Sequence, residues 1–306
     1  MSIYGILQGR GPSGFGYSTT AEQVCRDLDL SGKRYLLTGS NSGIGLEMAK
    51  VLASRGATVL ALARTRDKAE QVCAALATPG IAIECELSEP ASVLTCVRTV
   101  QEMDLTLDGI IANAGIMALP GLQQKYDLEL QFLTNHLGHF ILVNGLLDRL
   151  SSSGRVVILS SSAHRMTPSG GIDFNNLSGN RGYKPWLAYG QSKLANLLFA
   201  RSLGQRFQGS QRLACAVHPG VIRTNLGRHM HPLVRLFLSI AEPLFLKSIP
   251  EGASTMTWAA VHPGAADLQG EFLADCNLAR SSSSGRDLAL AERLWDVSVS
   301  LSERFT

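Results

Sequence analysis

Short apolar runs alternate with helical segments along most of the chain, and this alternation limits the folds that the sequence can adopt. Each run is continuous rather than alternating in polarity, as expected for parallel strands that are covered on both faces. Strand–helix alternation with short connections predicts a doubly wound α/β sheet flanked by helices. The six clearest strand candidates are RYLLT (34–38), ATVLAL (57–62), IAIEC (81–85), DGIIAN (108–113), GRVVILS (154–160) and RLACAVH (212–218).

The same patterns define the helices and the extent of the domain. GEFLA (270–274) is a candidate seventh strand, so we predict a mostly parallel seven-stranded sheet. The chain has 306 residues, 45% of them hydrophobic, which is enough for one large core. We predict an N-terminal arm (1–32) and a single domain (33–306), because no long linker divides the sequence. Helices are predicted near 43–55, 66–77, 89–102, 125–150, 186–208 and 287–301.

Composition argues against several classes of partner. The net charge of +3 is small, and no basic run with interleaved aromatic residues indicates nucleic-acid binding. The six cysteines include no C-x-x-C pair, which is typical of buried thiols in a reducing compartment. His136, His139, His164 and His218 lie beside different motifs without convergent carboxylates or thiolates, so no metal is predicted.

The sequence contains no segment that we expect to span a membrane. The first thirty residues lack the apolar core of a signal peptide. The most apolar long stretch (231–249) is interrupted by Arg235, Glu242, Pro243 and Lys247. Two interpretations of this stretch stay open: it lies on a membrane surface, or it covers an apolar pocket. The default location is therefore the cytoplasm, with peripheral membrane association as an alternative.

A glycine-rich turn joins the first predicted strand to the first predicted helix. Gly39, Gly43 and Gly45 follow the spacing T-G-x-x-x-G-x-G. Glycines let the backbone turn tightly and approach a pyrophosphate, whose charge is met by amides at the helix N-terminus. A glycine motif in this strand–turn–helix context predicts dinucleotide binding.

The end of the second predicted strand indicates which dinucleotide is bound. An NAD site usually has an acidic residue there, which accepts a hydrogen bond from the ribose 2′-hydroxyl. This chain has Arg64 and Arg66 instead, with no acid before Asp67. A guanidinium binds a 2′-phosphate, whereas a carboxylate repels it, so NADP(H) is predicted with Arg64 as the better candidate. The alternative, that the arginines cap a helix or lie in solvent, stays open.

Tyr189 and Lys193 are four residues apart near the start of a predicted helix, and therefore lie on one face. On many solvated helices such a pair has no chemical role. A nearby cation, however, lowers the pKa of a phenol from about 10 by favouring the phenolate. The pair then forms a general acid/base that works near neutral pH.

Motifs in a consistent order extend these observations to nearly the whole chain, which resembles the short-chain dehydrogenase/reductase family. NHLGHF, YGQSKLANLLFA and DCNLA are most similar to its retinol-dehydrogenase-like and WW-domain-oxidoreductase-like branch. The resemblance implies a single Rossmann-type domain. The family motifs are TGSNSGIG (38–45), NAG (113–115), TNHLGHF (134–140), SSSAH (160–164), YGQSK (189–193) and HPGVIRT (218–224).

The resemblance implies four catalytic residues. Tyr189 protonates the carbonyl oxygen, and Lys193 holds the nicotinamide ribose and lowers the pKa of Tyr189. Ser161, the middle of three serines, hydrogen-bonds the substrate oxygen and stabilises the charge that develops there. Asn135 bends the central helix and holds a water that relays protons to Lys193.

The resemblance also implies which residues hold the cofactor. Asn113 and Gly115 follow the fourth strand, at the edge where such sheets bind ligands, and Thr224 is expected near the carboxamide. Glu86-Leu87 departs from the family's Asp-Leu pair for the adenine, although one extra methylene is expected to keep the contact. The cofactor-binding set is Gly39, Ser40, Asn41, Gly43, Ile44, Gly45, Arg64, Glu86, Leu87, Asn113, Ala114, Gly115, Tyr189, Lys193, Pro219, Gly220, Ile222 and Thr224.

These residues together predict an NADP(H)-dependent oxidoreductase. The apolar segment at about 225–249, where this fold has its substrate lid, favours a lipophilic aldehyde, ketone or alcohol, although an ordinary amphipathic helix packed on the core is equally consistent. The alternative function is a non-catalytic NADP(H)-binding sensor or scaffold, because fold does not fix function. The helix at 186–208 commonly forms a homodimer interface in this family, but Arg201 and Arg206 on it are also consistent with a solvated face.

Overall fold

The computed structural model describes residues 9–222 and 246–305. Its strands are β1 Arg34–Thr38, β2 Thr58–Ala63, β3 Ile81–Glu84, β4 Leu107–Ala112, β5 Gln124–Lys125, β6 Leu128–Glu129, β7 Leu150–Leu159, β8 Leu213–His218, β9 Phe272–Ala274 and β10 Asn277–Leu278. Eight strands form one sheet in the order β10-β9-β8-β7-β4-β1-β2-β3. Its described pairs are parallel except β9–β10, and β5 and β6 form a separate antiparallel hairpin.

Helices cover both faces of this sheet. The connection from β3 through α4 to β4 crosses the sheet, because β4 and β2 lie on opposite sides of β1. The strand order therefore changes direction at β1, and such sheets bind ligands in the crevice at that point. The helices are α1 Ala21–Val24, α2 Gly43–Ser54, α3 Arg66–Ala74, α4 Pro90–Glu102, α5 Leu130–Phe132, α6 Gly138–Gly145, α7 Pro185–Arg206, α8 Ile249–Val261 and α9 Leu288–Ser302.

Two apolar cores, one on each face of the sheet, explain the continuous apolar strands. Leu36 of β1 packs in a core with Leu142 of α6 and Leu197 of α7. The next residue, Leu37, packs on the other face with Met48 of α2 and other buried side chains. Because successive strand residues point to opposite faces, both must be apolar.

The predicted doubly wound Rossmann-type fold is confirmed, with one strand more than predicted. β9 corresponds to the predicted seventh strand, and β10 adds a two-residue antiparallel edge. The intervening turn has Asp275 and Cys276 in left-handed conformations, with φ of 53° and 59°. Neither residue type signals such a turn as glycine would, so β10 was not predicted from the sequence.

The prediction of one continuous helix over 125–150 is wrong. Tyr126 and Asp127 have φ of 53° and 60° and form the turn of the β5–β6 hairpin. A short helix, α5, then leads into a π-helical turn, Leu133–Leu137, before α6 begins at Gly138. The apolar periodicity of this region is real, but it is shared among three elements.

The described part of the predicted arm packs on the domain. Ala21, Val24 and Cys25 are buried in the same core as α2 and α8. Most of the predicted lid (225–249), and Thr224, lie outside the described residues. No helix in residues 9–222 or 246–305 is long and apolar enough to cross a membrane.

Candidate active site

The turn between β1 and α2 leaves backbone amides available at the crevice. A Cβ atom on Gly45 would lie 2.2 Å from the Gly39 carbonyl oxygen, so only glycine allows the helix to begin so close to the strand. Gly43 has φ +54° and open space where a side chain would be. Ser42 precedes α2 without a side-chain capping bond to its amides. This arrangement fits a phosphate group at the helix N-terminus.

Three predicted cofactor residues in this turn occupy different environments. The hydroxyl of Ser40 is buried and donates to the Leu62 carbonyl at 3.1 Å, so it ties the turn to β2. Asn41 is exposed and Ile44 is half-buried. The side chains of Asn41 and Ile44 are therefore accessible to a cofactor, whereas the hydroxyl and the amide of Ser40 both donate to the Leu62 carbonyl.

Arg64 and Arg66 follow β2 and differ in their partners. Arg66 forms an ion pair with Glu70 at 2.9 Å, and its amide donates to the Glu84 carboxylate at 3.1 Å. Arg64 is exposed and has no hydrogen bond or ion pair within residues 9–222 and 246–305. The Arg64 side chain is therefore available to a 2′-phosphate. The Arg66 side chain is already paired with Glu70, and its amide with Glu84.

The loop after β4 is held by the last residue of β1. The Thr38 hydroxyl accepts hydrogen bonds from the amides of Asn113 and Ala114 at 2.9 and 3.0 Å. The Asn113 side chain donates to the Thr38 carbonyl at 2.8 Å. These bonds fix the predicted Asn113–Gly115 segment against the glycine-rich turn.

The buried side chain of His139 is hydrogen-bonded to the Thr38 hydroxyl. Its Nδ1 lies 2.9 Å from the Asn135 carbonyl oxygen, which only accepts, so Nδ1 carries the proton. Burial lowers the pKa of His139 to about 4, so Nε2 is unprotonated and accepts from the Thr38 hydroxyl at 2.8 Å. The sequence analysis did not predict the hydrogen bond between His139 and Thr38. The only sequence signal is that His139 lies four residues after Asn135, whose carbonyl it contacts.

Asn135 lies within the π-helical turn and connects three segments. Its side-chain oxygen accepts from the Ile116 amide at 2.8 Å, and its Nδ2 donates to the Ile116 carbonyl at 2.9 Å. Nδ2 also lies 2.9 Å from Ser192 Oγ on α7. Asn135 thus holds the loop after β4 against the helix of Tyr189 and Lys193. Its role in a water relay stays a prediction.

Ser161 follows the C-terminal end of β7, and it lies near Tyr189 and Lys193 in the N-terminal half of α7. The Ser161 side chain lies close enough to the Tyr189 phenol to lower its pKa. The neighbouring Ser160 hydroxyl instead donates to the Lys193 carbonyl at 2.7 Å. Lys193 is 2% exposed, and its ammonium donates to the Leu159 carbonyl at 3.0 Å. The geometry therefore distinguishes the two serines, because Ser160 donates its hydroxyl proton within the fold, whereas Ser161 Oγ accepts there from the Ala163 amide at 3.2 Å.

The environments of the phenol and the ammonium shift their pKa values in opposite directions. Burial raises the pKa of Tyr189 to about 12, opposed by the nearby Ser161 side chain. Burial lowers the pKa of Lys193 to about 8. The Lys193 ammonium is 5.8 Å from the centre of the Tyr189 ring and does not lower the phenol pKa in this structure. The predicted lowering of the Tyr189 pKa by Lys193 is therefore not found, because burial outweighs it.

Gly115 and Gly190 allow the segments around this cluster to approach closely. A Cβ atom on Gly115 would lie 3.0 Å from Asn135 Oδ1 and 3.4 Å from Lys193 Nζ. A Cβ atom on Gly190 would lie 1.8 Å from the Met166 carbonyl oxygen, inside van der Waals contact. α7 can therefore dock on the turn after Ser161 only because residue 190 is glycine.

The remaining predicted cofactor residues lie at the edges of the crevice. Pro219, Gly220 and Ile222 follow β8 and are half-buried, with Gly220 at φ +86°. One oxygen of Glu86 accepts from the amide and hydroxyl of Ser88, at 3.0 and 2.9 Å. Leu87 is 4% exposed and packs in the core, so its side chain supports the fold.

Comparison with known proteins identifies the family. The family model described as short chain dehydrogenase matches residues 33–232. The chain belongs to the short-chain dehydrogenase family. Short-chain dehydrogenase TIC 32 A, chloroplastic, of Brassica napus is 39% identical over 99% of both chains. Retinol dehydrogenase 11 of Mus musculus is 37% identical, covering 91% of this chain and 89% of its own. The predicted family and retinol-dehydrogenase-like branch are confirmed.

Solved structures agree with this assignment. A protein from Mycobacterium Paratuberculosis matches with TM-score 0.74 and 33% identity, over 94% of this chain and 98% of its own. A short chain dehydrogenase from Burkholderia cenocepacia J2315, in complex with NADP, has TM-score 0.65 and 23% identity, over 81% and 97%. The latter shows the fold alone. As a short-chain dehydrogenase, the chain is an oxidoreductase with a nicotinamide cofactor.

The histidines of this short-chain dehydrogenase are dispersed. Within residues 9–222 and 246–305, no three His, Cys, Asp or Glu residues form a metal-binding group. His136 lies 2.8 Å from Ser298 Oγ, and the His218 Nδ1 accepts from the Ser162 amide at 3.3 Å. These contacts are structural.

The stability of the short-chain dehydrogenase is expected to fall as the pH drops from about 6.5 towards 5. Burial lowers the pKa of His136 to about 3, and of His139 and His218 to about 4. The unfolded chain therefore binds protons in this window that the folded chain does not, which costs about 1.4 kcal/mol per pH unit for each histidine. Urea denaturation across this range measures the slope, and His139→Gln should reduce it. A flat profile would contradict the burial of neutral histidines.

Proposed function

We propose that the chain transfers a hydride between NADP(H) and a lipophilic aldehyde, ketone or alcohol, with Tyr189 as general acid/base. The observation that carries this proposal is the convergence of the Tyr189 phenol, the Ser161 hydroxyl and the buried Lys193 ammonium beside the dinucleotide crevice. A protein that only bound a dinucleotide would have no need of a positioned acid.

The described residues fit NADP(H) at two places. The uncapped N-terminus of α2 and the open space at Gly43 suit the pyrophosphate. The exposed guanidinium of Arg64 suits a 2′-phosphate. When bound, the nicotinamide supplies the hydride for reduction or accepts it for oxidation.

The catalytic residues handle the proton and the developing charge. In carbonyl reduction the Tyr189 hydroxyl gives its proton to the substrate oxygen, where negative charge develops. The Ser161 hydroxyl stabilises that charge by donating a hydrogen bond. The pKa of Tyr189, raised to about 12 by burial, keeps the phenol protonated at neutral pH, which is the form that reduction requires. Lys193, with a pKa of about 8, remains mostly cationic and stabilises the resulting phenolate.

Exposed apolar side chains on α7 and in the loop after β8, one of them in contact with Tyr189, support a lipophilic substrate. Trp186 lies one turn before Tyr189 on α7, is 43% exposed, and contacts the tyrosine ring edge-to-face at 6.1 Å between centres. Val221, next to Gly220, is 60% exposed. Exposed apolar surface beside a reactive group favours substrates that bury it.

The test is NADPH oxidation by the purified chain over a panel of lipophilic and short polar aldehydes and ketones, with NADH in parallel. Turnover with NADPH that favours the lipophilic compounds supports the proposal. Tight NADPH binding without turnover across the panel would instead favour the sensor alternative.

Arg64→Ala is expected to raise the KM for NADPH by about 10- to 100-fold and to leave the KM for NADH nearly unchanged. The lost interaction is a charge-assisted hydrogen bond to a 2′-phosphate, which is worth about 1.5–3 kcal/mol. Arg66→Ala is the matched control, because Arg66 is already paired with Glu70. Steady-state kinetics with both cofactors measure the ratio. Equal effects of the two variants would contradict the role of Arg64.

Trp186→Ala is expected to raise the KM of long apolar aldehydes by about tenfold, since removing one large apolar contact costs about 1–3 kcal/mol. Short aldehydes that do not reach the ring should be unaffected, and Trp186→Phe should retain most of the preference. Competition between a long and a short aldehyde measures it directly. An unchanged ratio in Trp186→Ala would show that the apolar wall lies elsewhere.

A homodimer through α7 is part of the proposal, although this chain already uses two of the basic side chains there. Arg206 pairs with Glu292 and stacks on the Trp295 ring at 3.7 Å. Arg201 donates to the Gly285 carbonyl at 2.9 Å. Both arginines are therefore engaged within the chain rather than free in solvent.

A further inference from the structure

The side chain of Lys247 is fully buried. Lys247 is distinct from Lys193, the lysine of the proposed catalytic set. Its ammonium lies 2.5 Å from Asp275 Oδ1 and 4.6 Å from the centre of the Tyr17 ring. Lysines are almost never fully buried unless they are paired, because the desolvation of the ammonium is costly. We call Lys247, Asp275 and Tyr17 the buried lysine cluster. Its position relative to the cofactor crevice suggests a purpose.

One side of the cluster holds the loop after β8. The amide of Lys247 donates to the Val221 carbonyl at 2.9 Å. The aliphatic part of the lysine lies against Gly220, where an added Cβ atom would be 2.7 Å from Lys247 Cδ. Gly220 has φ +86°. Because glycine adopts positive and negative φ about equally readily, contacts from neighbouring residues are needed to keep it in this conformation. Lys247 therefore contacts this loop through both its backbone and its side chain.

The other side of the cluster holds the N-terminal arm. Asp275 lies in the left-handed turn between β9 and β10, and its carbonyl accepts from Asn277 Nδ2 at 2.7 Å. The Asn277 side chain also binds the Ser13 amide at 3.0 Å and the Phe15 carbonyl at 3.2 Å. These bonds tie the arm to the turn, near which Tyr17 lies over the ammonium.

We propose that Lys247 is a positioning residue for the cofactor: it holds the loop 219–222 in its binding conformation, and Tyr17 of the arm completes its enclosure. The inference rests on the proposed function, because Pro219 and Gly220 belong to the predicted cofactor-binding set. It assigns the arm to the cofactor site, whereas the sequence predicted it as a separate segment.

A purely structural ion pair would behave differently. Replacing a buried pair by an apolar side chain of similar volume is often neutral for stability. Lys247→Met keeps the stem on Gly220 but releases it from Asp275, and Lys247→Ala removes the stem as well. A positioning role therefore predicts graded losses of cofactor affinity that do not follow the losses of stability.

The experiment is a fluorescence titration of the full chain with NADPH, with thermal unfolding of each variant. We expect Lys247→Ala to raise the Kd by about tenfold or more, with Lys247→Met and Tyr17→Ala between it and wild type. Lys33→Met is the matched control, since Lys33 pairs with Asp108 at 2.9 Å before β1. It should leave the Kd unchanged.

An unchanged Kd in both Lys247 variants would overturn the inference, whatever their stability. Failure of both to fold would make Lys247 a folding residue and overturn it equally. A wild-type chain that does not bind NADPH would contradict the proposed function instead, so the two failures are distinguishable. A raised Kd in Lys33→Met as large as that in Lys247→Met would also count against a local effect.

Discussion

Tyr189→Phe is expected to lose about a thousandfold in kcat while its NADPH Kd stays near that of wild type. The substitution keeps the ring and its edge-to-face contact with Trp186, and removes only the hydroxyl, whose pKa Ser161 influences. Substrate binding should therefore persist while the proton donor is lost. Single-turnover NADPH oxidation and a cofactor titration separate the two quantities.

Tyr35→Phe is the control for this variant. Tyr35 is buried near the start of β1, at the opposite end of the strand from the crevice, so its hydroxyl takes no part in the chemistry. We expect full activity from it. A Tyr189→Phe enzyme that retained most of its turnover would show that another group or water supplies the proton.

The pH dependence of the reduction rate distinguishes the role of Tyr189 from that of Lys193. Because the phenol is protonated up to a pKa of about 12, its loss should lower the rate at every pH tested below that value. Lys193 has a pKa of about 8, so a dependence of the rate on its charge appears within the accessible range. The two residues thus leave different signatures in the pH profile of carbonyl reduction.

The sheet was predictable from the sequence because parallel strands are buried on both faces. Leu36 and Leu37 are buried in the cores on opposite faces of the sheet. Successive residues of such a strand must therefore all be apolar, whereas an amphipathic helix needs apolar residues on one face only. The glycine-rich turn was predictable for a similar reason, since the clash at Gly45 admits no other residue. In both cases a local steric rule leaves a direct mark on the sequence.

The parts of the site that could not be predicted depend on contacts between distant segments. The π-helical turn at Asn135 is stabilised by Ile116 and Ser192, which are 19 and 57 residues away along the chain. Lys247 is buried by Asp275 and Tyr17, and neither neighbour is visible in its local sequence, which reads as an interruption of an apolar stretch. The pairing between Thr38 and His139 spans 101 residues. Such tertiary contacts override local periodicity.

Gly190→Ala is expected to lower kcat by about a hundredfold, because a displacement of about 1 Å at a reacting group has that order of effect. The added methyl group would lie 1.8 Å from the Met166 carbonyl and 2.6 Å from the Ala163 carbonyl. Both are backbone atoms and cannot rotate away, so α7 must move from the turn that carries Ser161. Tyr189, the preceding residue, moves with it. Overpacking of this kind also costs about 1–3 kcal/mol of stability.

Gly204→Ala separates the two effects, since Gly204 lies on the same helix far from Tyr189 in sequence. A Cβ atom there would meet the Gly270 backbone at 2.6 Å, so a similar loss of stability is expected. Its kcat should nevertheless match wild type, because the strain arises about three turns beyond Lys193 and next to β9. Steady-state rates and urea denaturation of both variants provide the comparison. If the two variants lost activity equally, the close docking at Gly190 would serve the fold alone and not the placement of Tyr189.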